Sequence, residues 1–213
     1  EYLTENHILI LCSKGVEHGT ASLLSEITEE EKPNLRYAIL SGPNFAIDVV
    51  AGKPAGTTLA CKDMDLGEAL QNLIAAPHFR PYITDDVIGT QIAGAIKNVI
   101  AIACGIANGM NMGDSASASL VTRGLAEIAR LGEAMGAEKE TFLGMCGIGD
   151  MMLTCSSETS RNFSLGVALG RGNTLQDILK SRKTVTEGVH TAQSAMLLAE
   201  RYNVDMPICD SIN

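Results

Sequence analysis

Two hydrophobic patterns divide this 213-residue chain. In its first part, short unbroken apolar runs alternate with polar turns. Ile8-Leu9-Ile10-Leu11-Cys12 is continuously apolar, the pattern of a strand buried on both faces of a parallel sheet, and it stops at Ser13-Lys14-Gly15. Helical spacing follows over Thr20 to Ile27, and Glu29-Glu30-Glu31-Lys32-Pro33-Asn34 then reads as a solvated loop. Tyr37 to Leu40 is the next strand, ending at the polar turn Ser41-Gly42-Pro43, and Phe45 to Val50 is a short helix. Thr57 to Cys61 has strand character, Leu66 to Ala75 helical spacing, and Phe79 to Thr84 the pattern of a short strand. Such alternation predicts part of an α/β sheet domain.

From about Gly89 the β-branched strand runs disappear and long Ala-rich helical segments replace them. Ile92 to Ala107 is apolar on nearly every face, which predicts a buried central helix. Leu120 to Met135 is amphipathic, with Arg123 and Glu127 at i, i+4 spacing on one face. Ser160 to Leu169 and Thr191 to Tyr202 complete the helical set, the latter closed by Asn203 and Pro207. This change of pattern divides the chain into residues 1–88 and an all-helical 89–213. There is no internal repeat.

Composition narrows the class. With 46% hydrophobic and 19% charged residues the chain is globular rather than disordered. Sixteen basic against twenty-five acidic residues, a net charge of −9 and no basic cluster argue against a nucleic-acid partner. Cys12, Cys61, Cys104, Cys146, Cys155 and Cys209 show no C-x-x-C spacing and sit mostly in apolar stretches, as free thiols of a reducing compartment do, so a cytoplasmic location is expected. The stretch Ile92 to Ala107 is broken by Lys97 and Asn98 and falls short of the roughly 20 residues of a membrane span, so no membrane insertion is expected. Residues 1–7 are polar and lack a signal-peptide pattern. The four histidines are dispersed and suggest no metal site.

The candidate chemistry centres on Lys97, a cation among Ile92, Ala93, Ile96, Ile100, Ala101 and Cys104. Burial there would lower its pKa and suit it to proton exchange near neutral pH; a lysine that snorkels to the surface is the alternative. Lys14 ends a strand at its carboxyl edge, where open α/β sheets collect ligands, although loop lysines are commonly just solvated. Gly42-Pro43-Asn44 occupies the same edge, with Asn44 placed to start a helix. Gly147-Ile148-Gly149-Asp150 is not a dinucleotide fingerprint, but its Asp150 could hold a catalytic lysine in place. Ser156 to Asn162 opens a helix and joins a cap, a guanidinium and free N–H groups in one place, chemistry suited to phosphate as well as to an ordinary helix start.

In order along the chain, Ser13-Lys14-Gly15 with Glu17, Leu40-Ser41-Gly42-Pro43 with Phe45-Ala46, and Gly94-Ala95-Ile96-Lys97-Asn98-Val99 form a set with Thr122-Arg123-Gly124 and Glu127. Gly147-Ile148-Gly149-Asp150, Thr154-Cys155, Ser160-Arg161-Asn162 and Glu187-Gly188 extend it. Together they resemble the bacterial NAD(P)-dependent sn-glycerol-3-phosphate dehydrogenase family. The resemblance implies α/β plus all-α architecture: residues 1–88 as the C-terminal part of an NAD(P)-binding Rossmann-type parallel sheet domain, and 89–213 as a helical substrate-binding and catalytic domain. It implies Lys97 as the catalytic proton donor to the carbonyl of dihydroxyacetone phosphate and the acceptor from sn-glycerol 3-phosphate in reverse. Lys14, Gly42, Asn44, Asp150, Ser160, Arg161 and Asn162 would then join Lys97 on the substrate, with Lys14, Ala46, Arg161, Val185 and Glu187 on the cofactor, NAD or NADP. Asn44 stands where the family usually has Ser or Thr, Asn108 where an acid is common, and Ser115 where Asn is common.

The family's opening strand and G-x-G-x-x-[GA] turn do not occur in these residues, and the resemblance implies that its final helical stretch is clipped after Met206-Pro207. The 213 residues alone are therefore expected to be inactive, and a homo-oligomer is left open. Two rivals remain at this level: another β-hydroxyacid-type dehydrogenase, and a non-catalytic fragment for subunit assembly.

Overall fold

A computed structural model describes residues 3, 4, 6–181 and 187–213. Its first half alternates strand and helix: β1 (Ile8–Leu11), α1 (Leu24–Glu31), β2 (Arg36–Ser41), α2 (Ala46–Val50), β3 (Ala55–Ala60), α3 (Met64–Ile74) and β4 (Phe79–Thr84). The strands form one sheet in the order β1-β2-β3-β4, parallel except between β2 and β3. That antiparallel step has a consequence for the site. With no crossover to make, the link from β2 to β3 stays at the carboxyl edge of β2 and holds α2 there beside the end of β1.

Among the described residues β1 is the first strand of the sheet and is half buried, with Ile8 exposed. The opposite edge is closed to further pairing: Pro81 has no N–H, the Gln71 side chain donates to its carbonyl at 2.8 Å, and Phe79 is bridged to Ala76. Helix α1 also departs from its expected span. It begins at Leu24, where Glu26 accepts from the Leu23 N–H, and takes Glu29 to Glu31 into its last turn. Residues 16–22 instead form a strap across the helical half, with Ala21 in the left-handed region. Ser194 donates to the Glu17 carbonyl, Arg201 to the Thr20 carbonyl, and Ala21 and Leu23 enter the main core.

The second half is helical: α4 (Val87–Gly109), α5 (Asp114–Ala134), a 3-10 turn (Lys139–Leu143), a π turn (Met145–Gly149), α6 (Asp150–Cys155), α7 (Arg161–Gly170), α8 (Leu175–Ser181), α9 (Glu187–Tyr202) and α10 (Pro207–Ile212). Helix α4 is apolar all round because the other helices surround it. It is long and apolar enough to cross a bilayer, yet 94% of its apolar window is buried inside the protein, as in a core helix. Ile92, Ile96 and Ile100 pack with Ile128 and Leu131 of α5, Phe142, Met151 and Leu198 in one core. Asp86 sets its start: one carboxylate oxygen accepts from the Gly89 N–H, the other from the Glu138 N–H and the Thr141 hydroxyl.

Helices α4 and α7 meet backbone to backbone. A Cβ on Gly105 would lie 2.1 Å from the Phe163 carbonyl, and one on Gly166 2.1 Å from that of Ile102. Gly109 and Gly170 repeat the contact one turn on, so glycines at i, i+4 on both helices set the spacing that brings the start of α7 against Asn98. Glu127, at i, i+4 from Arg123, turns inward. It is buried and accepts from the Ile208 and Cys209 N–H groups, fastening the first turn of α10.

Candidate active site

Lys97 lies midway along the buried α4, and its side chain is 6% exposed. The π turn before α6 is tightly packed, with Gly147 against the Phe142 backbone, and it delivers Asp150 and Thr154 on the α6 face that meets α4. Asp150 Oδ1 stands 3.2 Å from Lys97 Nζ, and Thr154 Oγ1 accepts from the same Nζ at 2.7 Å while donating to Asp150 at 3.2 Å. The other carboxylate oxygen accepts from Lys14 Nζ at 2.6 Å, and Lys14 also donates to the Gly42 carbonyl at 3.0 Å. One carboxylate thus sits between two ammonium groups. Burial pushes the Lys97 pKa below the usual lysine range; the Asp150 carboxylate opposes that shift and the Lys14 charge adds to it.

At the far end of the cleft Ser160 caps α7, its Oγ accepting from the Phe163 N–H. Arg161 follows, half exposed and 3.5 Å from Glu187 Oε1, and Asn98 donates to Glu187 Oε2 at 3.4 Å. Asn162 Oδ1 accepts from the Gly188 N–H and so fixes the start of α9. Lys14, Lys97, Asn98, Asp150 and Thr154 line one end of this 280 Å³ cleft; Ser160, Arg161, Asn162 and Glu187 line the other. Among the described residues, three cations against two carboxylates in the cleft favour an anionic guest, in a chain whose net charge is −9.

A second cavity of about 320 Å³ adjoins the first and shares Cys12, Lys14 and Asn44 with it. Gly42, Ala46, Ser41 and Thr57 line it, with Leu40, Val49 and Phe79 as apolar walls. Asn44 does not cap α2: Phe45 holds that position without a side-chain hydrogen bond, and the Asn44 N–H donates to the Gly42 carbonyl. Its side chain faces both cavities instead. Val185 lies outside the described residues.

The structure therefore brings Lys14, Asn44, Lys97, Asp150, Ser160, Arg161, Asn162 and Glu187 to one cleft, with Gly42 and Ala46 next door. It adds Thr154, whose i, i+4 spacing from Asp150 was the available signal, and Asn98, which was ambiguous beside Lys97.

A family model described as the NAD-dependent glycerol-3-phosphate dehydrogenase C-terminus matches residues 86–213, and one for the N-terminus matches residues 1–67. The chain belongs to the NAD-dependent glycerol-3-phosphate dehydrogenase family. The glycerol-3-phosphate dehydrogenase [NAD(P)+] of Erythrobacter litoralis is 53% identical over 205 residues, covering 96% of this chain and 62% of that protein. The one from Parvibaculum lavamentivorans is 49% identical over 210 residues, covering 99% and 63%. The crystal structure of glycerol-3-phosphate dehydrogenase from Coxiella burnetii superposes with a TM-score of 0.92 at 33% identity, over 95% of this chain and 62% of that one. The chain thus spans a little over three-fifths of the length of these glycerol-3-phosphate dehydrogenases.

Proposed function

We propose that these residues supply the proton-transfer and phosphate-binding machinery of a glycerol-3-phosphate dehydrogenase that interconverts dihydroxyacetone phosphate and sn-glycerol 3-phosphate with NAD(P)H or NAD(P)+. The observation that carries the reading is a buried lysine held on a carboxylate at one end of a cleft and a capped helix start bearing an arginine at the other. In this assignment residues 1–88 belong to the cofactor domain and 89–213 to the substrate domain.

The second cavity fits the cofactor's ring end. It has apolar walls, and the bare Gly42 beside it lets Thr57 pack close, since a Cβ there would come within 2.8 Å of Thr57 Cα. Lys14, Ala46, Arg161, Glu187 and Val185 would hold the cofactor, which supplies the hydride chemistry when bound. The rest falls to this chain. Lys97 Nζ donates a proton to the substrate carbonyl oxygen as it becomes a hydroxyl, and takes it back in the oxidative direction. Asp150 and Thr154 aim that ammonium, and Asp150 keeps it charged against burial. Lys14 and Asn44 position the substrate where the two cavities meet. Ser160, Arg161 and Asn162 receive the phosphate at the N-terminus of α7.

A β-hydroxyacid dehydrogenase would share the lysine but would have no use for the cationic start of α7. Free thiols, five of them buried among the described residues, support a cytoplasmic setting. The product would feed glycerophospholipid synthesis. The test is NADH or NADPH oxidation by the full-length protein with dihydroxyacetone phosphate. Dependence on the phosphorylated substrate is expected. Equal turnover of an unphosphorylated β-keto acid would overturn the reading.

A further inference from the structure

The carboxylate that stands between the two lysines is delivered by the π turn, and the contacts of that turn show what places it. Residues 138–149 fold on themselves: Gly147 packs on the Phe142 backbone, and the Gly149 N–H donates to the Gly144 carbonyl at 3.2 Å. Those contacts shape the segment without fixing where it sits. Three others do. Phe142 enters the main core, Asp86 accepts from the Glu138 N–H and the Thr141 hydroxyl, and Thr58 Oγ1 of β3 accepts from the Cys146 N–H at 3.2 Å. The first two hold the segment by its 3-10 half. Among the described residues, the Thr58 bond is the one made from outside to the backbone of the π turn itself, four residues before Asp150.

The place of Thr58 in the sheet ties this bond to both lysines. Thr58 is 7% exposed and pairs with Ser41 of β2, and the next residue, Gly42, turns its carbonyl to Lys14 Nζ. Gly56 lies on the same face of β3 and takes the Met145 side chain, whose Cε would be 3.4 Å from a Cβ there. One corner of the sheet therefore positions both sides of the 2.6 Å Lys14–Asp150 contact, Lys14 through the Gly42 carbonyl and Asp150 through Thr58 and the turn. Among the described residues, a cavity of about 560 Å³ also separates the segment from β4, lined by Tyr82, Ile83, Leu143, Met145 and Ile148. On that side the turn has room to shift once the bond is cut.

We propose that Thr58 is a positioning residue for proton transfer: by holding the Cys146 N–H it fixes the π turn and so sets the Asp150 carboxylate between Lys97 and Lys14. This rests on the dehydrogenase reading above. Thr58 acts through Asp150, whose charge opposes the effect of burial on Lys97. Without its acceptor the buried Cys146 N–H is left unpaired, which is costly enough to move the turn toward another partner and draw the carboxylate off Lys97 Nζ.

The test compares Thr58→Val, which keeps the shape and removes the acceptor, with Thr58→Ser, which keeps the acceptor, in the full-length protein. For Thr58→Val, kcat for dihydroxyacetone phosphate reduction should fall about tenfold, the worth of one net hydrogen bond, while NAD(P)H affinity holds. The groups that act on Lys97 are Asp150 and Cys155 of α6 and the Lys14 ammonium. With the carboxylate drawn back, less opposes the effect of burial, so the alkaline fall in kcat should begin at lower pH. Hydrogen exchange over residues 145–150 should rise. Thr58→Ser should restore all three. Thr141→Val frees the segment from Asp86 and should shift the pH profile in the same direction, which carries the test if Thr58→Val does not fold. A lower melting temperature with kcat and the alkaline fall unchanged would make Thr58 structural only and overturn the proposal. Impairment of Thr58→Ser equal to that of Thr58→Val would overturn it too, in favour of methyl packing. If the unaltered protein did not reduce dihydroxyacetone phosphate, the dehydrogenase reading would fail; unchanged exchange over residues 145–150 in Thr58→Val would instead defeat the Thr58 contact alone.

Discussion

Asp150→Asn removes one charge and almost no volume, so its effect isolates the electrostatics of the two-lysine arrangement. Lys14 is 22% exposed at its side chain and can turn to solvent, but Lys97 at 6% cannot. Among the described residues, the variant therefore leaves the buried ammonium only Thr154 and an amide for partners. Removing one member of a buried pair typically costs about 3 to 5 kcal/mol, a large share of the roughly 5 to 15 kcal/mol that holds a domain folded. With a urea m-value of about 2 kcal/mol/M, the unfolding midpoint at pH 7 should fall by about 1.5 M or more. The sign of the pH dependence follows from the lysine. Burial depresses the folded-state pKa of Lys97, and loss of the opposing carboxylate lowers it further. Below that pKa the charge is buried and the penalty is complete. As pH rises toward the unfolded-state value, the folded form sheds its proton first and the penalty fades. The deficit should be smaller at pH 10 than at pH 7, and adding Lys97→Met should restore much of the lost stability at pH 7. An unchanged midpoint at pH 7, or a deficit equal at both pH values, would refute this account of the pair.

Three further outcomes follow from particular contacts. Gly166→Ala puts a methyl 2.1 Å from the Ile102 carbonyl and should destabilise the α4–α7 pair by about 1 to 3 kcal/mol, read as a lower melting temperature with the helical spectrum retained; an unchanged melting temperature would mean that the helices are not in backbone contact. Glu127→Ala strips the Ile208 and Cys209 N–H groups of their acceptor, so hydrogen exchange should rise across α10 and the buried Cys209 thiol should become reactive toward a thiol reagent; unchanged protection would show that α10 is held by packing alone. Arg161→Ala should weaken dihydroxyacetone phosphate far more than unphosphorylated dihydroxyacetone, by roughly 1.5 to 3 kcal/mol in kcat/KM, and equal losses would remove Arg161 from the phosphate site.

The strands and the central helix were legible because each is a local pattern. Short apolar runs marked β2, β3 and β4 to within a residue or two, and the all-round apolarity of α4 reflects the helices that surround it. The helix expected over Thr20 to Ile27 failed because residues 16–22 follow tertiary partners on α9 rather than local propensity. The role of Glu127 was not legible either, since its acceptors serve a helix end 81 residues away in sequence. Lys97 and Asp150 could each be suspected alone from their surroundings. Their meeting with Lys14 could not be derived from spacing, since Lys14 and Asp150 are 136 positions apart and the π turn that joins them to Lys97 is set by packing of Gly147 on Phe142.

Proton transfer by Lys97 is the centre of the proposed chemistry, and single-turnover reduction of dihydroxyacetone phosphate by the full-length Lys97→Met variant tests it most directly. Loss of the general acid should slow the step by about 10² to 10⁴ while NAD(P)H affinity stays near that of the unaltered protein, and the fall in rate at alkaline pH that reports lysine deprotonation should vanish. A rate within tenfold of the unaltered protein, with that alkaline fall still present, would contradict the assignment and move the proton to another group.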